Sequence, residues 1–380
     1  MEECMVCERI DWIKNGKNPY FVKELNTGYV VIGDHQRIKG YSLFLCKEHA
    51  TELHFLEPHF RDEFLHEMAI VAEAVYNAFQ PDKLNYELLG AGNGVHMHWH
   101  LFPRRKGDTD TDGPVWKLGA ELAADEFLPT PEELEDLKTR LCVELEKLLM
   151  ENQLRLVAES YDRGIDLGKQ GMDSYDNFPA YITNHPYYPL FQKMRENVTS
   201  DSAGKEIAEY LSPKSGMRFI DLGCCLNFMF SGYKDWPSIY YGVDISSKTI
   251  DLLKGYANKN HLTVGDFCCC SMHETPYETN FFDIGACIGS LEYFEKEFVQ
   301  QAVAEFSRIM KPNGRFVLDI PNLGSPEFEI AKLIEEYLGR QDQFDLSVEE
   351  FENILAPYFA IEKKETVGPM IQYFLVSIKF

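Results

Sequence analysis

Basic side chains are scarce in this sequence relative to acidic ones. The 380 residues include 37 Lys and Arg against 61 Asp and Glu, and the formal net charge is −24. A protein that holds long nucleic acid through its general electrostatic field needs clustered Lys and Arg, so this charge argues against an RNA or DNA partner. We interpret the acidic residues mainly as a solvated surface.

Long apolar segments are also missing. No run of about eighteen apolar residues is present, so no membrane span is predicted. The first residues, MEECMVCERIDWIK, have acidic side chains where a signal peptide has basic ones. Without such a signal, we interpret the ten cysteines as reduced thiols or metal ligands and expect a cytoplasmic protein.

The apolar residues that are present predict two domains, since a domain usually has about 150 residues. The first, residues 1–150, is expected to be an α+β domain with an antiparallel sheet. Its predicted elements are strands at 20–33, 41–46, 84–90 and 95–102 and a helix at 59–80. A helix from residue 131 to about 159 is expected to join it to the second domain.

The second predicted domain covers residues 151–380, with a helical or irregular lead-in over 151–203. From residue 204 onward, short apolar strands alternate with helical segments. This alternation predicts an α/β domain with a parallel, doubly wound, Rossmann-like sheet.

Three histidines, His96, His98 and His100, are spaced two residues apart. On a strand this spacing puts all three imidazoles on one face. The opposite, core face would then carry Met97, Trp99 and Leu101. Such a row of ionisable rings indicates either nucleophilic catalysis or a metal centre with an open position for hydrolysis, and a surface cluster without function is the alternative.

These histidines and their flanks resemble the histidine-triad (HIT) family of nucleotide hydrolases and transferases, over roughly residues 1–120. Supporting segments are NYELLG at 85–90, Pro103-Arg104 and GYSLFLCKEH at 40–49. The resemblance implies that His98 is the nucleophile that attacks the α-phosphate of a nucleotide or a nucleotidylated small molecule. It also implies that His100 contacts the phosphate or assists the leaving group.

The same resemblance implies three substrate-binding residues. Asn93 would donate a hydrogen bond to a phosphate oxygen, Arg104 would face the phosphate, and the Asp34 carboxylate would bind ribose hydroxyls. Tyr41 stands where many members have a histidine. The family resemblance further implies a homodimer formed through strands of this domain.

A second cluster predicts structural zinc. Cys4 and Cys7 form a C-x-x-C pair, and some branches of the family bind zinc with such a pair together with histidines that match His49 and His96. Two thiolates and two imidazoles make a closed tetrahedral site, which is structural and not catalytic. The alternative is that the two thiols are ordinary buried side chains.

Acidic residues also follow the strands of the second domain. Asp221 ends the first strand, and Asp244 ends the second about twenty residues later. Ligands of parallel sheets bind beyond the carboxyl ends of the strands, and this spacing suits a carboxylate that binds ribose hydroxyls. A third strand is expected to end at Gly265-Asp266-Phe267.

This layout resembles the class I methyltransferases that use S-adenosylmethionine, over about residues 155–380. The resemblance implies that Asp244 binds the ribose, that Asp266 reaches the adenine amine and that Phe267 packs on the ring. The implied cofactor-binding residues are Asp221, Gly223, Cys225, Asp244, Ile245, Asp266, Phe267 and Cys287. The family usually has glycine at the positions of Cys225 and Asn227, and side chains there would narrow the site. A degenerate domain is the alternative.

The methyl acceptor is expected to be a small molecule, since Ser290-Leu291-Glu292-Tyr293 stands where base-amine methyltransferases have an Asn/Asp-Pro-Pro-aromatic motif. Cys268, Cys269 and Cys270 are interpreted as buried thiols. The sequence thus predicts a bifunctional enzyme, with nucleotidyl hydrolase or transferase activity and methyl transfer, and its fused domains suggest coupled steps. The rival hypothesis is a nucleotide-binding or sensing protein without turnover.

Overall fold

The computed structural model describes residues 4–90, 95–109, 113–198 and 202–378. The chain divides into two compact units, residues 1–151 and residues 152–380. Within the described ranges, no helix combines the length and the apolar character that crossing a bilayer requires.

The first unit is built on a five-stranded antiparallel sheet with the order β1-β2-β3-β5-β4. The strands are β1 (Phe21–Glu24), β2 (Gly28–Ile32), β3 (Ser42–Cys46), β4 (Lys83–Glu87) and β5 (His98–Arg104). Helix α1 (Met5–Lys14) precedes the sheet, and α2 (Pro58–Phe79) connects β3 to β4. Both helices and all five strands agree with the predicted α+β class.

The two faces of this sheet are covered by different helices. On one face, α2 and the first half of α3 (Pro131–Lys169) form a core that includes Phe44, Phe64 and Leu141. On the other face, Val6 and Ile10 of α1 pack against Tyr29, Val31 and Leu45. Leu45 is the direct cross-strand partner of His98, and directly opposed residues share a face. Helix α1 therefore covers the face that carries His98.

The segment 20–33, predicted as one strand, forms the two strands β1 and β2. The turn between them is fixed by Glu67 of α2, a buried carboxylate on the apolar side of the helix. Its oxygens accept hydrogen bonds from the backbone N–H groups of Asn26 and Thr27, each at 2.9 Å. Three hydrogen bonds to one carboxylate, including one from the Thr27 hydroxyl, compensate the cost of burying it.

The second unit is built on a seven-stranded mixed sheet with the order β11-β12-β10-β9-β6-β7-β8. Its strands are β6 (Arg218–Leu222), β7 (Ile239–Asp244), β8 (Asp266–Cys269), β9 (Phe282–Cys287), β10 (Met310–Pro321), β11 (Phe359–Val367) and β12 (Met370–Ser377). Strands β8, β7, β6, β9 and β10 pair in parallel, whereas β12 lies antiparallel between β10 and β11. The sheet confirms the predicted α/β, Rossmann-like class, with an antiparallel edge added.

Helices surround this sheet and form the lead-in to it. They are α4 (Ala180–Thr183), α5 (Tyr188–Val198), α6 (Ser202–Leu211), α7 (Asn227–Phe230), α8 (Ser247–Lys259), α9 (Lys296–Ile309), α10 (Pro326–Tyr337) and α11 (Val348–Leu355). Helix α3 continues ten residues beyond the predicted end at 159, so part of the lead-in is one regular helix.

The third strand of the parallel sheet is displaced from its predicted position. It was expected to end at Phe267, but β8 begins at Asp266 and is followed by Cys270. The register pairs Asp266 with Tyr241 and Cys269 with Asp244, so the residues level with Asp244 are the cysteines. Leu262 and Val264 have the alternating apolar pattern of a strand that ends at Phe267, but they lie in the connection after α8 and pack against the core from there.

Candidate functional site

The hydrogen bonds of His98 fix its tautomer. Its Nδ1 lies 2.7 Å from the backbone oxygen of His96. A carbonyl oxygen can only accept, so Nδ1 carries the proton and Nε2 keeps its lone pair. The ring is largely buried, and burial lowers the pKa of His98, with the positive charge of Arg9 acting in the same direction. His98 is therefore set up as a neutral imidazole with a nucleophilic Nε2.

His100 lies next along the strand, with its ring centroid 4.5 Å from that of His98. Its Nδ1 is 2.6 Å from the hydroxyl of Tyr41. Burial raises the pKa of Tyr41 and lowers that of His100 to about 4, so a neutral phenol faces a neutral imidazole. We assign the phenol as the donor, which leaves the proton of His100 on Nε2. His100 can then donate a hydrogen bond to a bound oxygen.

Four potential metal ligands, Cys4, Cys7, His49 and His96, have ligand atoms that all lie within 4.8 Å of one another. Sγ of Cys7 is 3.1 Å from Nδ1 of His49 and 3.4 Å from Nδ1 of His96, and Sγ of Cys4 is 3.8 Å from that second nitrogen. A tetrahedral zinc site separates sulfur and nitrogen ligands by about 3.6 Å, given its usual bond lengths. The four residues therefore fit a closed zinc site.

The outer hydrogen bond of His96 supports this arrangement. Its Nε2 lies 2.9 Å from the backbone oxygen of Cys46, so Nε2 carries the proton and the lone pair of Nδ1 faces the thiols. Cys4 is the N-cap of α1 and Cys7 lies in its first turn, so the pair reaches the histidines from one helix end. The Cys46 thiol is outside the group of four.

The predicted substrate-binding residues differ in their surroundings. Asp34 has both carboxylate oxygens paired with Arg9 of α1. Arg104, which was expected to face the phosphate, has a guanidinium that donates to the Asp108 carboxylate, the Thr109 hydroxyl and the backbone oxygen of Gly113. Those contacts hold the loop that follows β5. Asn93 lies outside the described residues.

The second unit has a cavity of about 210 Å³ at the carboxyl ends of β6, β7, β8 and β9. Asp244 lies in its lining, and its two carboxylate oxygens accept hydrogen bonds from the backbone N–H groups of Cys225 and Ser246, each at 2.8 Å. Burial raises the pKa of Asp244 to about 6. Each oxygen has further lone pairs, so the carboxylate can accept additional hydroxyl groups.

The floor of the cavity requires close approach of the backbone. Gly223 has a φ of 69°, and a Cβ there would lie 2.1 Å from Oγ of Ser290. Cys225 also adopts a left-handed backbone, with a φ of 38°, and its side chain lines the cavity. Left-handed angles are costly for residues other than glycine, asparagine and aspartate, so this conformation carries strain.

Asp221 lies beneath the cavity and does not line it. It is fully buried, and its Oδ2 accepts hydrogen bonds from the Tyr240 hydroxyl at 2.7 Å and from Nδ2 of Asn227 at 3.3 Å. Its Oδ1 has no partner among the described residues. Burial raises the pKa of Asp221 to about 7, so the residue supports the loop above it with a carboxyl group that is readily protonated.

Comparison with known proteins finds a family match in each unit. A family described as "HIT domain" matches residues 21–107, and one described as "Methyltransferase domain" matches residues 220–318. A match to a HIT domain thus lies in the first unit, and a match to a methyltransferase domain lies in the second.

Among curated proteins, a ubiquinone biosynthesis O-methyltransferase of Rhodopseudomonas palustris (strain HaA2) is 30% identical over 134 residues, which is 35% of this chain and 51% of that protein. One of Bradyrhizobium sp. (strain ORS 278) is 28% identical over the same share of each chain. The chain thus spans about half the length of the curated relatives it matches.

Solved structures include a geranyl diphosphate C-methyltransferase from Streptomyces coelicolor A3(2), with a TM-score of 0.40 and 15% identity over 47% of this chain and 76% of that one. A protein from Pyrococcus horikoshii OT3 has a TM-score of 0.40 and 21% identity over 53% of this chain and 100% of that one.

The cavity of the second unit brings together only part of the predicted cofactor set. Gly223, Cys225, Asp244 and Ile245 line it. Cys287 does not, because it is fully buried within β9. Asp266 and Phe267 do not line the cavity either, which corrects their predicted contact with adenine. They are the first residues of β8, where Asp266 accepts a hydrogen bond from the Tyr277 hydroxyl and Phe267 packs in the core.

Residues that follow the carboxyl end of β8 reach the cavity instead of that pair. Cys270, Ser271 and Met272 line the cavity. The three consecutive cysteines are not the buried thiols that the sequence suggested: Cys269 is exposed, and Cys268 and Cys270 are partly exposed with their sulfur atoms 3.0 Å apart. The register error in β8 accounts for both differences, because the cysteines form the strand and its end.

Sequence reasoning missed the aromatic wall of the cavity. Tyr161 of α3 and Tyr293, Phe294 and Phe298 after β9 line it, and the hydroxyls of the two tyrosines are 3.1 Å apart. The available signal was the SLEYF segment, whose aromatic residues follow the carboxyl end of the fourth strand.

Proposed function

We propose that the chain is a bifunctional enzyme. Its HIT domain would hydrolyse or transfer nucleotidyl groups through His98, and its methyltransferase domain would transfer a methyl group from S-adenosylmethionine to a small molecule. The observation that carries the first activity is the hydrogen bond from Nδ1 of His98 to the His96 carbonyl, because it leaves Nε2 unprotonated. The observation that carries the second activity is the position of Asp244, which ends β7 and lines the cavity of the second unit.

In the HIT reaction, the Nε2 lone pair of His98 would form a bond to the α-phosphorus while the bond from phosphorus to the leaving group breaks. Nε2–H of His100 would donate a hydrogen bond to the leaving atom, which takes its proton from solvent water. The oxygen of a water molecule then bonds to phosphorus while the Nε2–phosphorus bond breaks, the water loses one proton to solvent, and the nucleoside monophosphate leaves His98 in its starting form. Another nucleophile in place of water would give nucleotidyl transfer.

Zinc would be held by Cys4, Cys7, His49 and His96 and would have a structural role. The group of four fills a tetrahedron with protein ligands, so it offers no open position for a reacting molecule. This geometry favours the nucleophilic interpretation of His98 over a catalytic metal centre made from the whole triad, since His96 alone among the three histidines belongs to the group.

S-adenosylmethionine supplies an electrophilic methyl group when bound. Asp244 would accept hydrogen bonds from its ribose hydroxyls, and Gly223 would let the backbone approach it closely. Asp244 is the one acidic or basic side chain among the described lining residues, and the aromatic wall adds apolar surface. These features support a neutral, largely apolar acceptor, and the likeness to O-methyltransferases supports oxygen as the accepting atom.

The HIT activity is tested by incubating the full chain with adenosine 5′-phosphoramidate. We expect release of AMP by the wild type and none by His98→Ala. Cofactor binding by the methyltransferase domain is tested by calorimetric titration of S-adenosylmethionine into the wild type and Asp244→Asn, with weaker binding expected for the variant. If both ligands bind without AMP release, the sensing hypothesis is favoured over the enzyme.

A further inference from the structure

Arg9 and Asp34 form an ion pair on the triad face of the HIT sheet. Nη1 of Arg9 donates to Oδ1 of Asp34 at 2.7 Å, and Nη2 donates to Oδ2. Their side chains are 24% and 26% exposed, so the pair is open to solvent on one side and not sealed in the core. A ligand can therefore reach both charged groups.

Two independent contacts connect this pair to the triad. Helix α1, which carries Arg9, packs on Leu45, and Leu45 opposes His98 across the sheet. Asp34 follows Gly33, whose backbone N–H donates to the Tyr41 carbonyl at 2.8 Å, and the Tyr41 hydroxyl contacts His100. The ion pair thus adjoins the two histidines that the proposed reaction uses.

The charges of the described residues in this region make Arg9 a cation suited to a phosphate. Arg104 is committed to the loop after β5. Asp34 and Glu87 are acidic, and Glu87 opposes His100 directly across β4 and β5. An anionic ligand would meet net repulsion from these carboxylates unless a cation contacts it.

The chemistry of the guanidinium group makes an exchange of partners feasible. Its planar fork binds phosphate with the same bidentate geometry that it uses for carboxylate. While Arg9 occupies both oxygens of Asp34, that carboxylate is poorly available to ribose hydroxyls. A ligand that carries both a phosphate and a vicinal diol can satisfy both groups when they separate.

We propose that Arg9 is a phosphate-binding residue of the HIT site, and that its movement from Asp34 to the phosphate releases Asp34 to bind the ribose. The inference rests on the proposed nucleotide-binding function and adds a specificity device to it. The ion pair favours nucleotides over nucleosides. A nucleoside that binds Asp34 must break the pair, and it has no phosphate to replace the carboxylate as the partner of Arg9.

The test compares AMP with adenosine in calorimetric titrations of the full chain. In Arg9→Gln, we expect AMP affinity to fall by about tenfold or more, since a charge-assisted contact is lost. Adenosine affinity should stay unchanged or rise, because Asp34 is now free. Arg61→Gln is the matched control, since Arg61 pairs with the neighbouring Asp62 on the exposed side of α2.

A second variant, Asp34→Asn, tests the exchange from the other side with inorganic phosphate as the probe. Removing the carboxylate leaves Arg9 unpaired, so phosphate affinity should rise. A joint fall of AMP and adenosine affinity in Arg9→Gln, unchanged AMP affinity there, or no gain of phosphate binding in Asp34→Asn would each overturn the inference. If the wild type binds neither AMP nor adenosine, the proposed nucleotide function itself fails.

Discussion

The hydroxyl of Tyr41 lies 2.6 Å from Nδ1 of His100, at a position where the resemblance to the family leads one to expect histidine. The Tyr41 ring is held in place by stacking on Phe102, with centroids 4.2 Å apart and planes within 7°. Because the phenol stays protonated and cannot move far, it fixes both the orientation and the tautomer of His100.

Replacing Tyr41 by phenylalanine should therefore slow the HIT reaction without loosening the fold. The ring and its stacking remain, but His100 loses the partner that keeps its proton on Nε2. We expect kcat for adenosine phosphoramidate hydrolysis to fall by about tenfold, with little change in KM. Tyr86→Phe, at a half-exposed ring on β4, is the control. An unchanged kcat for Tyr41→Phe would contradict the assigned role.

Zinc content provides a second prediction. The purified chain should hold about one zinc ion, measured by inductively coupled plasma mass spectrometry. Cys7→Ser should lose it and lower the unfolding temperature by about 4 °C or more, because α1 loses its connection to His49 and His96. Cys142→Ser, at a thiol outside the group, and His98→Ala should both keep the metal. Retention of zinc by Cys7→Ser would show that the ion binds elsewhere.

The histidine and cysteine groups could be predicted from the sequence because short-range stereochemistry places them. Two-residue spacing brings His98 and His100 to one face of β5, and three-residue spacing brings Cys4 and Cys7 to one end of α1. The family resemblance supplied the partner histidines. Asp244 was found for a similar reason, since the end of a parallel strand has a fixed place at the sheet edge.

Contacts between residues distant in sequence could not be predicted in this way. Arg104 adjoins the triad along the chain, yet its guanidinium binds the next loop, whereas Arg9 reaches Asp34 from a separate helix. Asp266 was misplaced because Leu262 and Val264 satisfy an apolar strand pattern while lying in a connection. Apolar patterns report burial, and they do not distinguish a strand from a packed loop.

The corrected position of Asp266 gives a third prediction. Asp244→Asn should weaken S-adenosylmethionine binding by about tenfold or more. The charged carboxylate that would accept hydrogen bonds from the ribose hydroxyls is then lost from the cavity. Asp266→Asn should leave the affinity within about twofold, since the residue lies at the opposite end of β8 and contacts Tyr277. Isothermal titration calorimetry measures both. Equal losses in the two variants would restore the original assignment of Asp266 to the adenine.

The same carboxylate should make cofactor binding depend on pH. Burial raises the pKa of Asp244 to about 6, so its charged form, the better acceptor for hydroxyl groups, predominates only above that pH. We expect affinity to rise as the pH increases through about 6 and to be roughly tenfold weaker at pH 5 than on the plateau. Asp244→Asn should remove this dependence between pH 5 and 7. A wild-type affinity that is flat over this range would contradict the prediction.

Cys225 provides the last prediction, because it combines a strained backbone with a side chain in the cavity. Its φ of 38° is left-handed, and its N–H donates to Asp244 from that conformation. Cys225→Gly removes both the strain and the obstruction, so S-adenosylmethionine should bind at least as tightly as to the wild type. The unfolding free energy should change by less than about 1 kcal/mol, since the relief of strain is partly offset by the greater freedom of glycine in the unfolded chain.

Cys225→Phe should abolish binding by filling the cavity, and Cys269→Ser, at the exposed thiol of β8, is the control. Weaker binding by Cys225→Gly would instead show that the thiol itself contacts the cofactor.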